Sequence, residues 1–146
     1  MDDLYIRKIQ YDESDLITEF LERAGSSLKS FRYFEKRTPN IIINHLTTCL
    51  LMKNSKAVGY GHLDIEIKTV WLGIAVIESA TGKGYGKRIM TYLINSAYEQ
   101  RISVINLTVD KNNQAAINLY SNFNFQVIRE IKENTLLMTK IMNYVK

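Results

Sequence analysis

A glycine-rich stretch between two apolar patterns offers the clearest chemistry in this sequence. Gly82, Gly84 and Gly86 follow the apolar run 69–77 and lead directly into the amphipathic segment 84–99. Glycines let backbone N–H groups turn toward a ligand without a Cβ atom in the way. The first turn of a helix adds unpaired N–H donors and a positive dipole end. The stretch therefore predicts a site for a phosphate group.

The spacing of these glycines disfavours two common phosphate-binding motifs. A Walker A loop needs a glycine where this chain has Thr81, and a serine or threonine where it has Arg88. The dinucleotide fingerprint needs two residues between its second and third glycines, whereas only Tyr85 separates Gly84 from Gly86. Kinase, GTPase and dinucleotide-binding functions therefore fit poorly.

Two motifs, in order along the chain, resemble those of the GNAT N-acetyltransferase superfamily. Segment 81–86 resembles the family's acyl-CoA loop, Arg/Gln-x-x-Gly-x-Gly/Ala after a strand, with Thr81 at the Arg/Gln position. Segment 113–120, Asn-Gln-Ala-Ala-Ile-Asn-Leu-Tyr, resembles the second motif. The resemblance covers about 69–131 and implies an acetyl-CoA-dependent N-acetyltransferase that works by direct attack in a ternary complex.

The resemblance also implies where acetyl-CoA binds, between two diverging strands beside the loop. The implied cofactor-binding residues are Ile74, Ala75, Val76, Thr81, Gly82, Lys83, Gly84, Tyr85, Gly86, Lys87, Asn113, Ala116 and Tyr120. In the family, the tyrosine at the position of Tyr120 protonates the departing CoA thiolate, and a phenol is protonated at neutral pH. Asn113 is also a candidate helix N-cap.

Acetyl transfer to an amine needs a proton acceptor, because only a deprotonated amine attacks a thioester. His62 and Asp64 alternate with Tyr60 along one predicted strand, so the three side chains share a face. His62 has a suitable ordinary pKa, and Asp64 can orient it or accept the proton itself. A structural role for His62 and a water chain as the base remain alternatives. His45 is expected to cap or pack near the second helix.

The aromatic and basic loop 30–39 is the candidate acceptor site. Arg32, Tyr33 and Phe34 are expected to bind the substrate, by stacking on a ring and holding an anion. Inward packing of the aromatic rings is the structural alternative. The expected acceptor is a small-molecule primary amine, with an amino sugar or sugar nucleotide as one candidate. A protein or peptide amine, and a non-catalytic acyl-CoA-sensing module, stay open.

Composition is consistent with this function. The chain has 146 residues, a formal net charge of +4 and one cysteine, Cys49, so an intrachain disulfide is excluded. The charge suits an anionic ligand but is too diffuse to indicate nucleic acid. No run reaches the length of a membrane span and the N-terminus does not resemble a signal peptide, which predicts a cytoplasmic protein without membrane or metal partners. Segment 136–142 is a candidate strand for homodimer pairing.

Hydrophobic periodicity supplies the elements that position these residues. Strands are predicted over 5–9, 47–52, 57–65, 69–76, 103–109, 126–131 and 136–142, with helices from about 12 to 24, 40–45, 84–99 and 113–123. The order β-α-α-β-β-β-α-β-α-β-β predicts a single α+β domain over 1–146, with a mixed sheet between helices in three layers. The GNAT acyl-CoA N-acyltransferase fold has the same order.

Overall fold

Seven strands form one mixed sheet. In the computed structural model, which describes residues 3–29, 31–80 and 82–144, they are β1 (Leu4–Lys8), β2 (His45–Lys53), β3 (Lys56–Glu66), β4 (Thr69–Val76), β5 (Val104–Asp110), β6 (Gln126–Lys132) and β7 (Thr135–Ile141). Their order across the sheet is β1-β2-β3-β4-β5-β7-β6. Neighbouring strands are antiparallel, except that β4 and β5 run parallel.

Three α-helices accompany the described strands: α1 (Ser14–Arg23), α2 (Tyr85–Glu99) and α3 (Gln114–Asn122). The predicted α+β order is confirmed, although the structure adds short 3-10 segments that were not predicted: Gly25–Lys29, Tyr33–Glu35 and Glu78–Ala80. One predicted element differs. The second predicted helix is a short 3-10 segment, Pro39–Asn44. Its three consecutive isoleucines, 41–43, are β-branched and fit an α-helix less well. Strand β2 then begins at the next residue, so no further turn can form.

Helices α1 and α2 pack on opposite faces of the sheet. On one face, a Cβ atom on Gly61 would lie 2.5 Å from Cγ2 of Ile89 in α2, so glycine is what allows this close approach. On the other face, Phe20 of α1 stacks on Tyr60 with ring centroids 6.0 Å apart. Phe20, Tyr60 and Ile89 are fully buried. The expected layers on both sides of the sheet are therefore present.

Strands β4 and β5 pair only near their N-terminal ends. Their ladder contains two residue pairs, Val70 with Ile105 and Trp71 with Asn106. Beyond Trp71 the two strands diverge, and the opening lies beside the glycine-rich turn that starts α2. No described helix is long and apolar enough to cross a membrane.

Candidate active site

A cleft of about 780 Å³ occupies the opening between β4 and β5. One end is lined by the glycine-rich turn and by α3, and the other end by charged and aromatic side chains of 31–37, β3 and β4. A single cavity therefore joins the segments that the sequence assigned to cofactor, catalysis and acceptor.

The glycine-rich turn has a left-handed backbone conformation that favours glycine. Gly82 and Gly84 have φ angles of +80° and +78°, and Gly84 is the N-cap residue of α2. A Cβ atom at either position would meet nothing within 4 Å, so left-handed backbone rather than crowding explains these glycines. The N-terminus of α2 thus opens toward the cleft, which suits an anion.

The other loop residues predicted to bind the cofactor are placed differently. Tyr85 and Gly86 line the cleft, whereas Lys83 and Lys87 are exposed and do not line it. Thr81 lies outside the described residues. Backbone groups and the helix end, rather than lysine side chains, therefore form this part of the cleft.

Strand β4 and helix α3 form facing walls of the cleft. Ile74, Ala75 and Val76 line it from β4, and Asn113 and Ala116 line it from the start of α3. The side-chain oxygen of Asn113 accepts a hydrogen bond from the Ala116 backbone N–H at 3.2 Å, so Asn113 is the N-cap of α3. The small Ala116 side chain leaves space on this wall.

Tyr120 is buried but reaches the cleft from α3. Its ring packs edge-on against Phe125, with centroids 6.2 Å apart. Its hydroxyl makes no hydrogen bond to the protein within the described ranges. Burial raises the pKa of Tyr120 above its usual range, so the phenol keeps its proton at neutral pH.

His62 is enclosed between Tyr60 and strand β4. Its Nδ1 atom shares a hydrogen bond of 2.7 Å with the Tyr60 hydroxyl. Gly73 faces it across the ladder, and a Cβ atom there would lie 2.5 Å from Nε2 of His62. Burial lowers the pKa of His62 well below its ordinary value, so the ring is neutral and a poor proton acceptor.

Asp64 lines the cleft at the end of a hydrogen-bonded chain. The Tyr33 hydroxyl donates to Asp64 Oδ2 at 2.7 Å and lies 2.7 Å from Nε2 of His45. His45 Nδ1 lies 2.9 Å from the Thr48 hydroxyl. His45 is the C-cap residue of Pro39–Asn44, as expected, and its side chain also belongs to the site. Burial lowers the pKa of His45 to about 4, and burial together with the Asp64 hydrogen bond raises that of Tyr33.

Two ion pairs border the acceptor end of the cleft. Arg32 lies 3.2 Å from Asp110, a residue at the end of β5. The Arg37 guanidinium lies over the Tyr33 ring, 4.2 Å from its centroid, and 3.7 Å from Glu66. Both pairs are partly exposed, so they contribute little to stability but set the charge around the opening.

Of the three residues predicted to bind substrate, the structure brings Arg32 and Tyr33 to the cleft. Phe34 does not line it. Its ring instead packs edge-on against Tyr60 and Tyr33, with centroids 5.5 and 4.9 Å away. Inward packing, the alternative that the sequence left open, therefore applies to Phe34.

Phe31 and Arg37, which belong to the candidate acceptor loop, also line the cleft, whereas three other cleft residues were not identified from the sequence: Glu66, Trp71 and Asp110. Strand register explains part of this set, because Trp71 pairs with Asp64 across β3 and β4. The alternation of Trp71, Gly73 and Ala75 places them on the face of His62 and Asp64 once that register is known.

No group of three His, Cys, Asp or Glu side chains that could hold a metal occurs in the part of the chain that is described.

Comparison with known proteins agrees with this architecture. The structure is similar to the ribosomal-protein-S18-alanine N-acetyltransferase of Escherichia coli (TM-score 0.78, 18% identity, 99% of this chain and 97% of that one). It also resembles a GNAT-family acetyltransferase of Streptococcus pneumoniae (TM-score 0.76, 23% identity, 96% of this chain and 100% of that one). A third similar structure is the PaiA N-acetyltransferase of Thermoplasma acidophilum, solved with coenzyme A (TM-score 0.76, 18% identity, 96% of this chain and 99% of that one). No curated protein matches in sequence. The model of the acetyltransferase (GNAT) family matches residues 13–125, and the chain belongs to this family.

Proposed function

We propose that this protein transfers the acetyl group of acetyl-CoA to a primary amine of a small molecule, by direct attack in a ternary complex. Family membership supports acetyl transfer. The observation that carries the proposal is the single cleft, which connects the glycine-rich turn to Tyr120 and to Asp64. The acetyl donor, the proton donor and the proton acceptor can therefore meet without rearrangement of the sheet.

The residues of this cleft fit acetyl-CoA. Backbone N–H groups from Gly82 to Lys87 would hold the pyrophosphate, and the sequence position of Thr81 belongs to the same loop. The wall formed by Ile74, Ala75 and Val76 would contact the pantetheine, with Asn113 and Ala116 on the other side. When bound, acetyl-CoA supplies the acetyl group as a reactive thioester.

Proton transfers are assigned to side chains that line the cleft. Tyr120 holds its proton in a buried position and donates it to the leaving thiolate. His62 and Asp64 line the same cleft from β3, and one of them accepts the proton of the acceptor ammonium.

A small acceptor fits the far end of the cleft. The Arg32–Asp110 ion pair links segment 31–37 to the end of β5, and both residues line the cleft. Arg32 and Tyr33 supply a cation and an aromatic ring, which favour an acceptor with an anionic group and a ring, such as an amino sugar or sugar nucleotide.

The test is release of free thiol from acetyl-CoA across a panel of amines. The panel contains amino sugars, nucleotide-linked amino sugars, polyamines and a peptide with N-terminal alanine, with an amine-free reaction as the control for hydrolysis. We expect thiol release and acetylated product with at least one small amine. Release with the peptide alone would contradict a small-molecule acceptor. Tight acetyl-CoA binding without release from any amine would instead indicate a sensing module.

A further inference from the structure

We propose that Tyr33 and His45 are positioning residues, which hold Asp64 as an ionised carboxylate that accepts the proton of the acceptor ammonium. This inference rests on the proposed acetyl transfer. It selects Asp64 over His62 and changes the role of Tyr33 from substrate contact to support of Asp64. It also gives His45 a part in the reaction that its position in the sequence does not indicate.

The number of available protons fixes the direction of the hydrogen-bonded chain. Tyr33 has one hydroxyl proton, and it is donated to Oδ2 of Asp64 at 2.7 Å. The 2.7 Å contact between Tyr33 and Nε2 of His45 must then be donated by His45. A neutral imidazole has one N–H, so Nδ1 of His45 accepts from the Thr48 hydroxyl at 2.9 Å. Every donor in the chain points toward Asp64.

The protonation states of the chain agree with this direction. Burial lowers the pKa of His45 to about 4, so the ring is neutral near pH 7 and carries the single N–H that the chain needs. Burial and the bond to Asp64 raise the pKa of Tyr33, which therefore keeps its hydroxyl proton. A hydrogen bond donated to a carboxylate favours the ionised form.

Asp64 has no cationic partner within the described residues, although it is only 5% exposed. Arg37 pairs with Glu66 and Arg32 pairs with Asp110. The titratable or charged groups around Asp64 are Tyr33 and Arg37 from 31–37, His45 from β2, and Tyr60, His62 and Glu66 from β3. A nearly buried carboxylate is costly without a counterion, and the acceptor ammonium would supply one.

His62 is the weaker candidate for this step. Its Nδ1 atom is engaged by the Tyr60 hydroxyl, and complete burial disfavours its charged form. Proton transfer from an ammonium would create a buried imidazolium next to His45, whose ring centroid lies 4.6 Å away. Proton transfer to Asp64 instead neutralises both the acceptor ammonium and the Asp64 carboxylate.

The protons of the proposed step balance. One N–H bond of the ammonium breaks and an O–H bond forms on Asp64, which leaves a lone pair on nitrogen. That pair forms the C–N bond, the C–S bond breaks, and the thiolate takes the Tyr120 proton. The second proton lost by nitrogen restores Tyr120, and Asp64 returns its proton to solvent. The products are the amide, free CoA and one released proton.

The test compares wild type with Tyr33→Phe by two measurements. The first is the pH profile of kcat/KM with an acceptor from the panel. The second, which needs no activity, is a 13C NMR titration of the Asp64 carboxyl, assigned with Asp64→Asn. Tyr33→Phe keeps the ring but removes the donor, so we expect both the acid limb and the NMR midpoint to move up by about one pH unit.

Matched variants separate positioning from general loss of stability. Tyr144→Phe removes a hydroxyl that donates to the carbonyl oxygens of Ala97 and Ile102, away from the cleft. It should lower stability and move neither titration. His45→Gln keeps an N–H donor, so its Asp64 midpoint should shift less than that of His45→Leu, which should shift as in Tyr33→Phe.

The two proposals fail in different ways. A wild-type enzyme that releases no thiol with any amine contradicts the proposed acetyl transfer, while the NMR titration still decides the role of Tyr33. An Asp64 midpoint that is the same in wild type, Tyr33→Phe and His45→Leu overturns the positioning role. If Tyr33→Phe does not fold, the Asp64 midpoints of His45→Leu and His45→Gln test the positioning role from the other end of the hydrogen-bonded chain.

Discussion

At Tyr120, burial coincides with a hydroxyl that no described protein group engages. The ring is 7% exposed and packs against Phe125, while the hydroxyl faces the cleft. Burial raises the pKa of this phenol, so it keeps its proton at neutral pH and can present that proton to a departing thiolate. The same burial would raise the basicity of a thiolate that forms beside it. The position therefore suits a general acid at the donor end of the cleft.

Replacement of Tyr120 by phenylalanine tests this assignment. We expect Tyr120→Phe to lower kcat by about 10²-fold, the range that general acid catalysis contributes. Affinity for acetyl-CoA should change by less than about twofold, because the ring and its packing remain. Steady-state kinetics and calorimetry measure the two quantities. Tyr11→Phe is the matched control, since Tyr11 is 68% exposed. Unchanged turnover in Tyr120→Phe would remove Tyr120 from the mechanism.

At the scale of elements, the donor end of the cleft depends on where α2 begins. Gly84 caps this helix with a left-handed backbone, directly beside the divergence of β4 and β5. The positive end of the helix dipole and the unpaired N–H groups of the first turn then point at the same opening. An anion bound there is stabilised by backbone geometry, which side-chain substitutions elsewhere on the turn would leave in place.

An isosteric pair of substitutions at Gly84 tests the charge of the ligand. Asparagine and aspartate both tolerate the left-handed conformation, and a side chain at Gly84 has open space. Gly84→Asp places a carboxylate beside the proposed pyrophosphate, so we expect affinity for acetyl-CoA to fall by at least about tenfold. Gly84→Asn should retain most of the affinity. Equal affinities of the two variants, measured by calorimetry, would show that no phosphate binds at this turn.

Periodicity was sufficient to predict most of the elements. The strand Thr69–Val76 was predicted with its observed bounds, and helix α2 begins one residue after the predicted start. The exception is Pro39–Asn44, where β-branched residues and the nearby start of β2 limit the segment to a 3-10 helix. Local pattern determines such elements because each one buries a single stripe or face.

The site was only partly predictable, because its members come together by tertiary contacts. Strand alternation placed His62 and Asp64 on one face, and the cleft contains both. The contact of Tyr33 with His45 and Asp64 joins the 3-10 segment Tyr33–Glu35 to two strands, and no spacing in the sequence encodes it. Likewise, Asp110 reaches Arg32 across 78 residues. Register and loop placement, rather than residue type, determine these partners.

At the scale of the whole molecule, the two histidines of the chain couple stability to pH. Burial lowers the pKa values of His45 and His62 below the ordinary value of about 6.5. Between these lowered values and 6.5, the unfolded chain binds protons that the folded protein does not. Acidification through this window therefore favours unfolding. Glu13 and Glu130, whose pKa values are lowered below 4.5, contribute only at lower pH.

This coupling predicts a measurable loss of stability in mild acid. We expect the free energy of unfolding to fall by about 1 kcal/mol per histidine between pH 7.5 and pH 5.5. Urea unfolding at the two pH values measures the difference. His45→Gln removes one titrating group and should reduce the difference by about half. Equal stability of the wild type at both pH values would mean that the histidines titrate normally and are not buried as described.

A crystal structure of the complex with acetyl-CoA tests the central claim most directly. We expect the pyrophosphate at the N–H groups of Gly82 to Lys87 and the pantetheine between β4 and β5. The thioester should lie between the Tyr120 hydroxyl and Asp64, within reach of both walls of the cleft. Acetyl-CoA ordered outside this cleft, or an empty cleft in crystals grown at saturating acetyl-CoA, would contradict the proposed acetyl transfer at this site.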